Sequence, residues 1–205
     1  EKYSFMYAAV GIHPEDVEGT PADYLDTLKK WAVLPKTVAI GEIGLDYHYE
    51  GYDPDLQKRI FREQLDLAEQ LCLPVVIHSR DATEDTMSIL RERGKVNGVM
   101  HCFSGSAETA KQVLALGLNI SFTGVLTFKN ARRAIEALEA VPMDRLMLET
   151  DCPYMAPEPN RGKRCDSGMI VHIIQKIAEV KGVSPELVAK QTTENTLKLF
   201  WKMNA

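Results

Sequence analysis

Thr37-Val38-Ala39-Ile40 runs without a break into Gly41-Glu42-Ile43-Gly44-Leu45-Asp46. The first four residues are apolar or nearly so and carry no charge, the pattern of a strand covered on both faces. The next six bring glycine and carboxylate to its end. The same succession recurs along the chain. Met6–Val10 leads into Gly11-Ile12-His13-Pro14, and Val75–Ile77 into His78-Ser79-Arg80-Asp81. Gly98–Met100 leads into His101-Cys102-Phe103-Ser104-Gly105, and Leu146–Leu148 into Glu149-Thr150-Asp151-Cys152-Pro153. The run Asn119–Phe122 ends in Ser121-Phe122-Thr123-Gly124.

Helical periodicity fills the gaps. Pro21 to Ala32 spaces Tyr24, Leu25, Leu28 and Trp31 by three and four. Asp53-Pro54 reads as an N-cap followed by proline at the first helical position, opening a helix with Phe61, Leu65, Ala68 and Cys72 on one stripe. Asp81 and Glu84 have capping-box spacing before Met87, Ile89 and Leu90. Ser106 is placed to cap a helix containing Val113 and Leu114. Further helices are predicted over Ala131–Ala140, Met169–Val180, Pro185–Gln191 and Thr193–Lys202. Strand and helix alternate throughout, which predicts an α/β class with a parallel sheet. Polar motifs that always leave the C-terminal ends of apolar strands mark the active face of such folds, as in a (β/α)8 barrel.

Composition narrows the function. The 205 residues are 45% hydrophobic and 26% charged, enough to bury a large core. Disorder, a disulfide-stapled miniprotein and a membrane-spanning protein are excluded, since no run approaches the ~20 apolar residues of a spanning helix. The start shows no basic segment leading into an apolar one, so no signal peptide is expected. A net charge of −5 is the wrong sign for a protein that coats duplex DNA, although bound divalent ions neutralise phosphates locally. Cys72, Cys102, Cys152 and Cys165 contain no CxxC pair and read as free, mostly buried thiols of a cytoplasmic protein.

Glu42, His78, His101 and Asp151 stand at the ends of four different predicted strands. Two imidazoles and two carboxylates form a mixed N/O set suited to Zn²⁺, Mn²⁺ or a similar ion. Each residue alone has another reading: a hydrogen-bonded structural histidine, an ion-pair or cap role for Glu42, a turn cap for Asp151. Their shared position at successive strand ends favours the ligand reading. His13 also ends a strand and is read as either a substrate contact or a loop residue. Cys102 and Cys152 neighbour ligand candidates, and strand alternation turns them away from the mouth as packing residues.

The ordered set GIHP, GEIGLDY, IHSRDA, HCFSGS, SFTG and ETDCPYMAP resembles the TatD-type metal-dependent DNases of the metallo-hydrolase barrel group. The resemblance runs from Gly11 to the segment Asn195-Thr196-Leu197-Lys198-Leu199-Phe200. It implies a (β/α)8, TIM-barrel-like domain over 1–205 that binds two divalent ions (Zn, Mg or Mn) and hydrolyses phosphodiesters. In the family pattern Glu42 bridges the ions, His78 and His101 ligate one, and Asp151 ligates the other and accepts the proton of the attacking water. Arg80 would position phosphate. Ser104-Gly105 would offer backbone amides if they open the next helix, and Arg161 and Arg164 would contact phosphate or remain solvated surface charge.

Two departures shape the expectation. The HxH strand with which the family usually opens is not in this sequence, so the first two strand units are expected to be absent and the domain N-terminally truncated. Arg161-Gly162-Lys163-Arg164-Cys165-Asp166-Ser167 stands where relatives carry an Asn and a Pro after the basic residues. The function implied is a cytoplasmic, monomeric deoxyribonuclease working from the 3′ end of single-stranded DNA. The alternatives are amide or ester hydrolysis of a small molecule, or a binding module without activity.

Overall fold

The computed structural model describes residues 3–204. They form two compact units, one holding the chain up to Val99 and again from Leu197, the other holding Met100–Thr196.

In the first unit β1 (Ala8–Val10), β2 (Thr37–Asp46) and β3 (Val75–Arg80) lie side by side and parallel. Between them run α1 (Tyr24–Ala32) and α2 (Pro54–Gln70), with α3 (Thr83–Arg93) following β3. β2 is the spine of the unit, and nine of its ten residues are buried, all but Glu42. Its length corrects the sequence reading. The Gly41–Asp46 motif is not a loop beyond the strand but its second half, paired with β3 through Ile43↔Ile77, Gly44↔His78 and Asp46↔Arg80. Glycine makes this pairing possible. A Cβ on Gly44, at φ +148°, would fall 1.9 Å from the His78 carbonyl oxygen, and one on Gly41 would fall 2.6 Å from the Val76 Cβ. The Gly41–Glu42 peptide is cis.

The α2 stripe packs Ile60, Phe61, Leu65 and Ala68 into the core with Ile40, Ile43, Leu45 and Ile77. Burying side chains of this size contributes about 1.5–3 kcal/mol each. The expected cap is present, with Asp53 Oδ1 accepting from the Asp55 and Leu56 amides at 2.9 and 3.1 Å. Cys72 does not extend the stripe: α2 has ended, and Cys72 stands exposed at φ +54°. α3 is not capped by Asp81, whose carboxylate turns instead to His48, 2.8 Å away.

β4 (Gly98–Met100) crosses from the first unit's segment into the second's. In the second unit β5 (Asn119–Phe122) and β6 (Leu146–Leu148) pair in parallel, Ile120↔Leu146 to Phe122↔Leu148. Around them fold α4 (Ala107–Ala115), α5 (Arg132–Ala140), α6 (Ile170–Lys181) and α7 (Pro185–Leu199). Ser106 caps α4 as expected, its Oγ accepting from the Thr109 amide at 3.1 Å. Two predicted C-terminal helices are one. Thr192 and Thr196 return their hydroxyls to the Val188 and Thr192 carbonyls at 2.9 and 2.8 Å, so the threonines continue the helix rather than break it. Asn195 gives its side-chain amide to the Met143 and Leu146 carbonyls. Among the described residues no helix is long and apolar enough to cross a membrane.

Candidate metal centre

The site of the first unit grows from the ends of its three strands. His13 follows β1, Glu42 lies within β2 and His78 within β3. One ligand-type atom from each lies within 4.8 Å of the others. Glu42 is the one residue of β2 that reaches solvent, with 41% of its side chain exposed. A carboxylate on an otherwise buried strand is thus presented to a ligand. The Glu42 Oε2 stands 3.8 Å from His13 Nε2, and the His13 and His78 rings meet edge to face at 4.6 Å.

Each histidine ring is oriented by a hydrogen bond. His78 Nε2 lies 2.9 Å from Asp46 Oδ2, a carboxylate with 1% of its side chain exposed. An ionised Asp46 accepts the Nε2 hydrogen and so orients the His78 ring. His13 is set the other way. Its Nδ1 accepts from the Glu15 amide at 3.2 Å, so a neutral ring carries its hydrogen on Nε2, the nitrogen nearest Glu42. Glu42 and His78 offer an O/N pair of the kind Zn²⁺ and Mn²⁺ accept. His13 in this tautomer is a hydrogen-bond donor beside them.

The strand ends are held in turn by two glutamines of α2, seven residues apart on its buried side. Gln57 Nε2 donates to the Asp46 carbonyl and its Oε1 accepts from the Asp46 amide, both at 2.9 Å. Gln64 does the same for Ile12, accepting from its amide at 2.6 Å and donating to its carbonyl at 3.1 Å. Both glutamines are fully buried. They lock the backbone next to His13 and at Asp46, and so the frame of the cluster. Sequence reading missed Asp46, Gln57 and Gln64. The available signal was the placement of two amides on the apolar stripe of α2, where only a fully paired polar group is tolerated.

In the second unit His101 is buried and its Nδ1 lies 3.4 Å from Glu149 Oε1. The same Glu149 oxygen accepts from the Cys102 amide at 2.6 Å. Glu149 is a further residue that sequence reading passed over, although it opens the ETDCP motif. Asp151 is partly exposed, and its carbonyl accepts from the Tyr154 amide at 2.7 Å. Ser104 and Gly105 do not open a helix. They precede the Ser106 cap, so the condition attached to their phosphate role is not met. Arg161 is stacked over the Phe128 ring at 3.7 Å, and Arg164 is exposed. The strand-alternation argument for Cys102 fails, because it follows the end of β4 at φ +45°, and Cys152 is exposed rather than packed. All four thiols are free, with only Cys165 buried.

The chain is 46% identical over 202 residues to YabD of Bacillus subtilis (strain 168), named an uncharacterized metal-dependent hydrolase, covering 98% of this chain and 79% of the relative. It is 36% identical over 205 residues to a protein of Erwinia billingiae (strain Eb661) named 3′-5′ ssDNA/RNA exonuclease TatD, covering 96% and 78%. The crystal structure of YjjV, a TatD homolog from Escherichia coli K12, superposes with a TM-score of 0.89 at 30% identity, covering 97% of this chain and 78% of that one. The likeness bears out the α/β, TIM-barrel-like fold expected from the sequence. The model of the TatD related DNase family matches residues 1–201, so the chain belongs to that family and is a TatD-type metal-dependent hydrolase.

Proposed function

We propose that this hydrolase cleaves phosphodiester bonds of DNA, as a 3′–5′ exonuclease on single strands. The observation that carries the reading is the cluster of His13, Glu42 and His78, brought together by three adjacent strands, an O/N pair with a hydrogen-bond donor beside it. The printed name of the Erwinia relative supports the substrate class. A divalent ion at such a site supplies Lewis acidity, bringing the pKa of water from about 15.7 towards ~7 and polarising phosphoryl oxygens.

The chain's own residues do the rest. Asp46 holds the His78 hydrogen at Nε2 and so fixes the orientation of the ring. His13 donates its Nε2 hydrogen to a non-bridging phosphate oxygen, an interaction that strengthens as negative charge grows there. Arg80 binds phosphate through a guanidinium that stays charged at every working pH. On the strength of the resemblance, His101 and Asp151 are further ligands, a second ion is bound, and Asp151 accepts the proton of the attacking water. Arg161 and Arg164 keep their proposed phosphate contacts. The protein of this reading is a cytoplasmic monomer.

The test is a gel assay of end-labelled single-stranded DNA with Mg²⁺, Mn²⁺ or Zn²⁺ added in turn. Stepwise shortening from the 3′ end is expected. No shortening with any ion, together with hydrolysis of lactones or amides, would replace the nuclease reading with the small-molecule one.

A further inference from the structure

Two residues beyond His78 on the same face of β3 stands Arg80, opposite Asp46 of β2. Its guanidinium carbon lies over the Tyr49 ring, 5.3 Å from the centroid. Tyr49 belongs to the segment that follows β2. Its ring is gripped at the edges, by His48 at 4.9 Å and 82° and by Tyr52 at 6.4 Å and 72°. These are favourable edge-to-face contacts. His48 is itself tied to Asp81 at 2.8 Å, which fixes the segment from the far side and occupies the Asp81 carboxylate. The result is a phenol ring oriented by three neighbours and still 50% exposed.

A half-exposed aromatic ring held this firmly, one strand step from a site that faces phosphate, has the form of a base-stacking platform. Stacking is open to any nucleobase because every base has a π-face. It also leaves Arg80 free to act: a guanidinium that covers a ring with its face keeps its N–H edges for a phosphate. We propose that Tyr49 and Arg80 form a nucleotide subsite for single-stranded nucleic acid, Tyr49 stacking on a base and Arg80 bonding the adjoining phosphate. The proposal rests on the nuclease reading and specifies how that site grips its substrate. Paired bases in a duplex are already stacked, so the subsite discriminates against duplexes.

Binding of a fluorescein-labelled single-stranded oligothymidylate, followed by fluorescence anisotropy with Ca²⁺ as the divalent ion, tests it on the full chain. Tyr49→Ala should weaken binding about 5- to 150-fold, the range for loss of one aromatic–base stack. Tyr49→Phe should bind within about twofold of the parent, since the ring and not the hydroxyl stacks. The same backbone carrying abasic residues should bind parent and Tyr49→Ala alike, whereas Arg80→Ala should weaken both oligonucleotides. Equal binding of oligothymidylate by parent and Tyr49→Ala would overturn the subsite, as would an equal loss on the abasic strand or no binding by the parent. Cleavage of the same strand, read separately on gels, keeps the two readings apart. Tyr49-dependent binding without cleavage removes the nuclease and leaves the subsite, and cleavage without Tyr49 dependence does the reverse.

Discussion

His78 lies within β3 and His101 directly follows β4, and each leans on a carboxylate, but they are built differently. His78 presents Nε2 to Asp46 at 2.9 Å, and Asp46 is buried with its backbone clamped by Gln57. His101 presents Nδ1 to Glu149 at 3.4 Å, and 29% of the Glu149 side chain remains exposed. The brace thus holds opposite ring nitrogens, Nε2 in the first unit and Nδ1 in the second. A brace in a buried, fully bonded setting is also stronger than one open to water. The difference teaches that two histidines with the same sequence signature are set by partners the signature does not contain.

The severest way to break the contrast is to remove the acid in front of the first histidine. Glu42→Gln should lower turnover by more than the ~10–100-fold typical of losing a residue that merely orients a ligand. Its thermal unfolding should change little, because the side chain reaches solvent. Steady-state rates near the parent's would refute a ligand role for Glu42.

The comparison sharpens when the two braces are removed one at a time. Asp46→Asn should cost ~10–100-fold in metal affinity, measured by calorimetric titration with Mn²⁺. Glu149→Gln should cost less than Asp46→Asn in the same titration. Equal losses would erase the distinction between a buried and an exposed brace.

A smaller effect separates the clamps from the site. Gln57→Leu leaves the Asp46 amide and carbonyl without their partner and should destabilise the fold by about 1–3 kcal/mol in denaturant unfolding. The smallest is Asp53→Ala, which removes the α2 cap and should cost about 1 kcal/mol with activity unchanged. A Gln57→Leu variant as stable as the parent would show that the strand end does not depend on α2.

Much of this was legible along the chain. β4, β5 and β6 have the bounds their apolar runs suggest, because a strand buried on both faces is written as a short continuous run. β2 was read as too short, since Glu42 and two glycines look like a loop until β3 is seen filling the space a Cβ would take. Glu42, His78 and His13 were found as strand-end residues with chemistry to offer. Asp46, Gln57, Gln64 and Glu149 were not, because their work lies in pairings between elements distant in sequence. Asp81 shows the opposite error. Its spacing to Glu84 suits a capping box, but His48 competes for the carboxylate and wins.

The central claim is that Glu42 and His78 belong to one cation site. Anomalous diffraction from crystals soaked in Mn²⁺ or Zn²⁺ tests it most directly. The account predicts a peak about 2.0–2.2 Å from a His78 ring nitrogen and from a Glu42 carboxylate oxygen. Peaks elsewhere and none at Glu42 and His78 would contradict it.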